Sequence, residues 1–211
     1  MPPPGRIWGT NRAALRVLLS QPWIRSWDRG ALADDPLRLR QAFARAARSA
    51  DLIVTTGGVA GGSADHLRAA FEAAGGEVLV AVIALKPGKP LVLGRLGQTL
   101  WLGLPGNPLA MQAGWRLIGV PTVQKRAGLA LPSSDSFLAR LSRAIRHKPG
   151  RTEARPAVIT GWDARGCAEV MCLDTSGSHC AGKLAQAQGF VIIPREEEGL
   201  PAGALVEFMP M

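Results

Sequence analysis

Apolar positions alternate between helical and strand spacing over the first two thirds of the chain. From Asn11 to Gln21 they recur as Ala14, Leu15, Leu18 and Leu19, one face of a helix that Asn11 can cap and Pro22 stops. A short strand is expected over Trp23–Trp27. Asp34-Asp35-Pro36 reads as a helix start, with Leu39, Phe43 and Ala47 inward as far as Ser49. Leu52-Ile53-Val54 is continuously apolar, as a strand buried on both faces would be. A helix over 64–74, closed by Gly75-Gly76, and a strand over 78–85 follow. Leu91–Leu93 and Leu100–Leu104 read as strands with Gly97-Gln98 as a turn, and a helix runs from Pro108 to about Arg126. This alternation predicts an α/β layer structure with a largely parallel sheet.

Beyond Pro132 the texture changes to short alternating runs near 136–147, 153–160, 168–173, 189–193 and 204–208, separated by Gly, Pro and Asp. That suits a small β-barrel or sandwich. A boundary near Leu131–Ser134 gives two domains, 1–131 and 132–211.

Composition narrows the function classes. Apolar residues make up 47% of the 211, enough for a real core, and the net charge of +9 favours anionic partners. The arginines are scattered, as at Arg38, Arg40, Arg45 and Arg48, without the basic runs or aromatic interleaving of a nucleic-acid site, so no nucleic-acid partner is expected. No apolar stretch approaches the roughly 20 residues that span a bilayer, so no membrane partner is expected either. Cys167, Cys172 and Cys180 are odd in number and fit no zinc spacing, which points to a reduced, cytoplasmic protein.

Candidate chemistry lies in three loops at expected strand ends, where open α/β sheets bind ligands. These are Thr55–Asp65, Lys86–Pro90 and Pro105–Pro108, each rich in Gly or Pro. Glycine admits a ligand close to the backbone, helix N-termini offer free N–H groups to anions, and Lys86 and Lys89 add positive charge. Together they describe a site for a phosphate-bearing ligand.

Thr-Thr-Gly-Gly-Val at 55–59 with Asp65, Lys-Pro-Gly-Lys-Pro at 86–90 and Leu-Pro-Gly-Asn-Pro at 104–108 resemble, in order and distance, the signature of molybdopterin molybdenumtransferases. Ile7–Asn11, Asp34-Asp35-Pro36, Pro149-Gly150-Arg151, Ser176-Gly177-Ser178 and Leu184–Ala187 extend the resemblance from Gly5 to Phe208. It covers the C-terminal half of that family. It implies a three-layer αβα molybdopterin-binding domain with a mostly parallel sheet, then a small all-β domain. It also implies insertion of molybdate into adenylylated molybdopterin with release of AMP, assisted by magnesium, in a homodimer acting on small-molecule substrates.

By resemblance, Asp34, Asp65 and Lys86 are catalytic, and Asp65 is also the metal residue. Gly57, Gly58, Val59, Lys89, Pro105, Gly106, Asn107, Pro108 and Ser178 hold the pterin, phosphate or molybdate. Departures from the family pattern stand at Gly9, Ala60, Gly61, Ser63, Val82, Ala181 and Gly182, each removing a polar or charged group. The family's first strand and two N-terminal domains have no counterpart in this sequence. Two other readings follow: a non-catalytic molybdopterin-binding module, and a molybdopterin adenylyltransferase. The Lys-Pro-Gly-Lys-Pro loop and the appended β region argue against the last.

Overall fold

The computed structural model describes residues 9–59, 66–129, 135–174 and 180–211. Its elements in chain order begin with α1 (Thr10–Leu18), α2 (Pro36–Ala46), β1 (Leu52–Thr56), α3 (His66–Ala73), β2 (Glu77–Val80), β3 (Leu85–Lys86), β4 (Val92–Leu96) and β5 (Thr99–Leu104). A helical run follows as α4 (Pro108–Gly114), a π-helical turn (Trp115–Gly119) and α5 (Val120–Arg126). Then come β6 (Phe137–Leu141), β7 (Ile145–Arg146), β8 (Thr152–Trp162), β9 (Ala168–Cys172), α6 (Cys180–Gln186), β10 (Gly189–Ile193), β11 (Gly199–Leu200) and β12 (Leu205–Pro210). Packing divides the chain into two compact units, 1–81 with 92–111 and 82–91 with 112–211.

In the first unit a four-stranded sheet runs β1-β5-β4-β2. The run Thr99–Leu104 is almost wholly buried, as suits its interior place between β1 and β4. One sheet face is covered by α2 and α3. Asp35 caps α2 by accepting a hydrogen bond from the Arg38 N–H at 2.9 Å, and Pro36 fills its first turn. Leu39 and Phe43 then join Ala70, Phe71, Val59, Val92 and Trp101 in one core. The rings of Phe43, Phe71 and Trp101 meet at centroid distances of 5.1, 5.2 and 4.5 Å. Such aromatic pairs add about 0.5–1.5 kcal/mol each beyond the area they bury. The Thr99 hydroxyl sits 3.0 and 2.7 Å from the carbonyls of Ala47 and Ala50, binding the end of the α2 segment to the start of β5.

In the second unit β8, β10, β12, β6 and β9 pair in a closed ring, because β10 bonds to both β12 and β8. Closure removes exposed strand edges. Its interior holds Ala139, Leu141, Ala157, Val170, Val191, Ile193, Val206 and Phe208. The strand β3 lies parallel to the start of β8, pairing Leu85 with Thr152 and Lys86 with Glu153.

The α/β character and the β-rich second part agree with the sequence reading, and several details differ. The first sheet is not mostly parallel: β1–β5 is parallel, while β4–β5 and β2–β4 are antiparallel. The turn at Gly97-Gln98 is too short for a crossover, so the strands it joins must run antiparallel. Trp23–Trp27 forms no strand; it finds no ladder partner, and both tryptophans are exposed, with Arg25 over the Trp27 ring at 5.8 Å. The strand expected over 78–85 ends at Val80, and Leu85–Lys86 pairs elsewhere. The run 136–147 splits into β6 and β7, which belong to different sheets. The C-terminal region is not all β, since it contains α6. None of the helices among the described residues is long and apolar enough to cross a membrane.

Candidate functional site

Because β1 and β5 are parallel and adjacent, the loops leaving their carboxyl ends lie side by side. The Gly57 N–H donates to the Leu104 carbonyl at 2.9 Å, which carries the ladder one residue beyond the strands. Gly57 and Gly58 then turn with φ of +83° and +69°, a region that side chains with a Cβ rarely enter. A Cβ on Gly58 would also stand 2.8 Å from the Leu67 side chain. The turn sends Val59 inward to the core, so of the expected ligand-binding trio only the two glycines are accessible.

Across from them, Pro105 is buried while Gly106 and Asn107 are exposed. A Cβ on Gly106 would lie 3.5 Å from the Gly57 Cα, so the two loops approach main chain to main chain. Asn107 caps α4: its Oδ1 accepts from the Ala110 N–H at 3.1 Å, and Pro108 occupies the first helical position.

Asn11 locks this arrangement. It does not cap α1 as the sequence suggested; the helix starts at Thr10, with Gly9 at the cap position. Its amide instead donates to Thr56 Oγ1 at 2.8 Å and to the Gly106 carbonyl at 2.9 Å, while Thr56 donates to the Pro105 carbonyl at 3.2 Å. Asn11 Oδ1 is buried and has no partner among the described residues. The sequence offered only the family-like run Ile7–Asn11 as a hint of this role.

The Lys86–Pro90 loop belongs to the second unit. Lys86 ends β3 and is followed by a cis peptide bond to Pro87. The Ile83 N–H donates to the Lys89 carbonyl at 3.0 Å, folding the loop back on itself. Val82, Ile83, Ala84, Lys89 and Arg151 line one open hollow. Arg151 was legible only as part of the Pro-Gly-Arg run; its place beside Lys89 comes from the pairing of β3 with β8.

Beneath Lys86 lies a charged cluster that the sequence did not single out. The Lys86 ammonium is 3.3 Å from Glu153 Oε1, and the Glu153 side chain is only 8% exposed. Arg155 Nε donates to Glu153 Oε1 at 2.9 Å, and His147 Nδ1 lies 2.7 Å from Oε2. The other arm of Arg155 binds the Arg146 carbonyl. Burial pushes the Glu153 carboxyl up, but the bonds from Arg155 and His147 and the charges of Arg155 and Lys86 outweigh it and hold it below the ordinary carboxylate range. Nearby, burial pushes the Cys172 thiol up to about 11, so it stays protonated and behaves as a small apolar residue.

Asp34 is exposed and leaves helix capping to Asp35. Asp65 and Ser178 lie outside the described residues. Among the described residues no group of three or more His, Cys, Asp or Glu side chains gathers as a metal cluster.

A family described as "Probable molybdopterin binding domain" matches residues 4–125, and one described as "MoeA C-terminal region (domain IV)" matches 138–211. The chain is 30% identical over 207 residues to the molybdopterin molybdenumtransferase of Haemophilus influenzae, covering 98% of this chain and 51% of that protein. It is 27% identical over 206 residues to that of Bacillus subtilis, covering 98% and 47%. A solved structure of a molybdopterin biosynthesis MoeA protein from Pyrococcus horikoshii superposes with a TM-score of 0.80 at 28% identity, covering all of this chain and 51% of that one. The chain thus spans about half the length of these relatives. With more than half its residues matched by the first family and most of the remainder by the second, the chain belongs to the molybdopterin-binding domain family and carries a MoeA-type C-terminal region.

Proposed function

We propose that this chain serves molybdenum cofactor biosynthesis as a molybdopterin molybdenumtransferase, taking molybdate and adenylylated molybdopterin and releasing AMP. The observation that carries this reading is the cationic hollow of Lys89 and Arg151, with Lys86 on the same loop. Oxyanions such as molybdate or a phosphate suit fixed ammonium and guanidinium donors, which offset charge on the anion and on a phosphate leaving group. The glycine turn at Gly57-Gly58, with exposed Gly106 and Asn107 opposite, offers main-chain approach to a flat or phosphorylated ligand such as molybdopterin. The roles that resemblance assigns to Asp34, Asp65 and Ser178, the help of magnesium, the homodimer and a cytoplasmic location belong to the same proposal. Residues 1–131 and 132–211 are its two sequence modules, in keeping with the family matches on either side of that boundary.

The test incubates the full chain with adenylylated molybdopterin, molybdate and magnesium and follows AMP by chromatography. Molybdate-dependent AMP release that falls at least about ten-fold in Lys86→Ala is expected. Molybdopterin binding without AMP release would instead make the chain a binding module, and adenylylation of molybdopterin by ATP would make it an adenylyltransferase.

A further inference from the structure

We infer that Glu153 is a positioning residue for Lys86: a buried carboxylate that aims the lysine ammonium at the oxyanion. The inference rests on the reading above, in which Lys86 meets molybdate. Lysine is a poor fixed donor by itself, because its long stem samples many rotamers. Here both ends of the stem are restrained. The Lys86 backbone pairs with Glu153 in the β3–β8 register, and its ammonium lies 3.3 Å from Glu153 Oε1. With one N–H directed at that oxygen, two remain for an anion, and the Lys86 side chain is still 43% exposed.

Glu153 is itself held more firmly than a surface partner would be. Its backbone pairs with Lys86 on one side and Ile193 on the other. Its Oε1 also accepts from Arg155 Nε at 2.9 Å, while Oε2 faces Arg155 Nη2 at 3.2 Å and His147 Nδ1 at 2.7 Å. The His147 side chain is fully buried. One carboxylate among Lys86 and Arg155 leaves the cluster with surplus positive charge, so the clamp does not cancel the attraction for an anion. A charge kept only to balance Arg155 would need no contact with Lys86. The rotamer freedom lost in ordering Lys86 is met on folding rather than on binding, which is the usual gain from preorganisation.

The test measures molybdate binding to the full chain by calorimetry, beside thermal unfolding. Glu153→Gln is expected to weaken molybdate about ten-fold, with Glu153→Asp in between. Lys86→Met should weaken it to a similar degree. The double variant Glu153→Gln with Lys86→Met should bind no more weakly than Lys86→Met, since Glu153 acts through Lys86. A purely structural role would lower the unfolding temperature without this non-additivity. Molybdate affinity in Glu153→Gln that is unchanged or tighter, or additive losses in the double variant, overturns the inference and leaves the proposed function standing. No molybdate binding by the unaltered chain overturns both. Should Glu153→Gln fail to fold, Glu153→Asp decides: it keeps a carboxylate beside Arg155 while drawing it back from Lys86. A loss of about three-fold or more supports the clamp, and unchanged affinity overturns it.

Discussion

The glycine turn of the first unit and the lysine loop of the second are built in opposite ways. At Gly57 and Gly58 a positive φ shapes the turn, the Gly58 side has no room for a Cβ beside Leu67, and a neutral amide, Asn11, holds the two loops together. At Lys86, Lys89 and Arg151 long cationic side chains stand forward instead, and a buried carboxylate, Glu153, pairs with one of them. A site shaped by main chain is sensitive to added volume and indifferent to salt. A site built from charge tolerates volume changes but responds to pH, ionic strength and the loss of one partner.

The sharpest way to break this contrast is Gly58→Val. A β-branched side chain at φ of +69°, with a Cβ 2.8 Å from Leu67, should cost about 2–3 kcal/mol in urea unfolding, equally at low and high salt. A smaller cost that shrinks with salt would contradict a steric origin. Next comes Asn11→Ala, which removes the bonds to Thr56 and Gly106 and should cost about 1–2 kcal/mol by thermal unfolding. Asn11→Asp should be worse than Ala, because a carboxylate oxygen would replace the donor facing the Gly106 and Pro105 carbonyls.

The charged cluster predicts a pH effect that the glycine turn does not. Glu153 has a folded-state pKa below its unfolded value, so its stabilising contribution is present above the unfolded value and is lost as pH falls through the folded one. Urea melts from about pH 6 down to pH 3 should therefore show falling stability in the unaltered chain and a flatter profile in Glu153→Gln. A parallel pair of profiles would remove Glu153 as a source of acid sensitivity. The smallest stability effect belongs to Lys89→Ala combined with Arg151→Ala. Unfolding should stay within about 0.5 kcal/mol of the unaltered chain, whereas molybdate affinity should drop and lose much of its salt dependence. A large stability loss would make these residues structural instead of ligand-facing.

Much of the first unit was legible because its signals are local. Asp35-Pro36 starts a helix because the Asp35 carboxylate accepts from a free N–H and Pro36 fixes φ, and Leu39 and Phe43 face inward from a 3.6-residue period. The glycine loops were legible as motifs, and both lie where the sheet places ligand loops, at the ends of β1 and β5. Strand direction does not follow from the alternation of strands and helices: the short turn at Gly97-Gln98 makes β4 and β5 antiparallel. The Trp23–Trp27 run shows the complementary point: apolar content without a ladder partner does not make a strand.

The sequence by itself determined the family, the Asp-Pro start of α2, the glycine turn at Gly57-Gly58 and the two lysines of the loop, since each rests on residues adjacent in the chain. Only the tertiary structure decided that Val59 faces the core, that Asn11 binds Gly106 across 95 positions, and that Lys86 shares a carboxylate with Arg155 and His147. The physical reason is that burial and charge pairing depend on strand register. In the sequence Glu153 is one acid at the start of a strand, and the pairing of β3 with β8 turns it into the partner of Lys86.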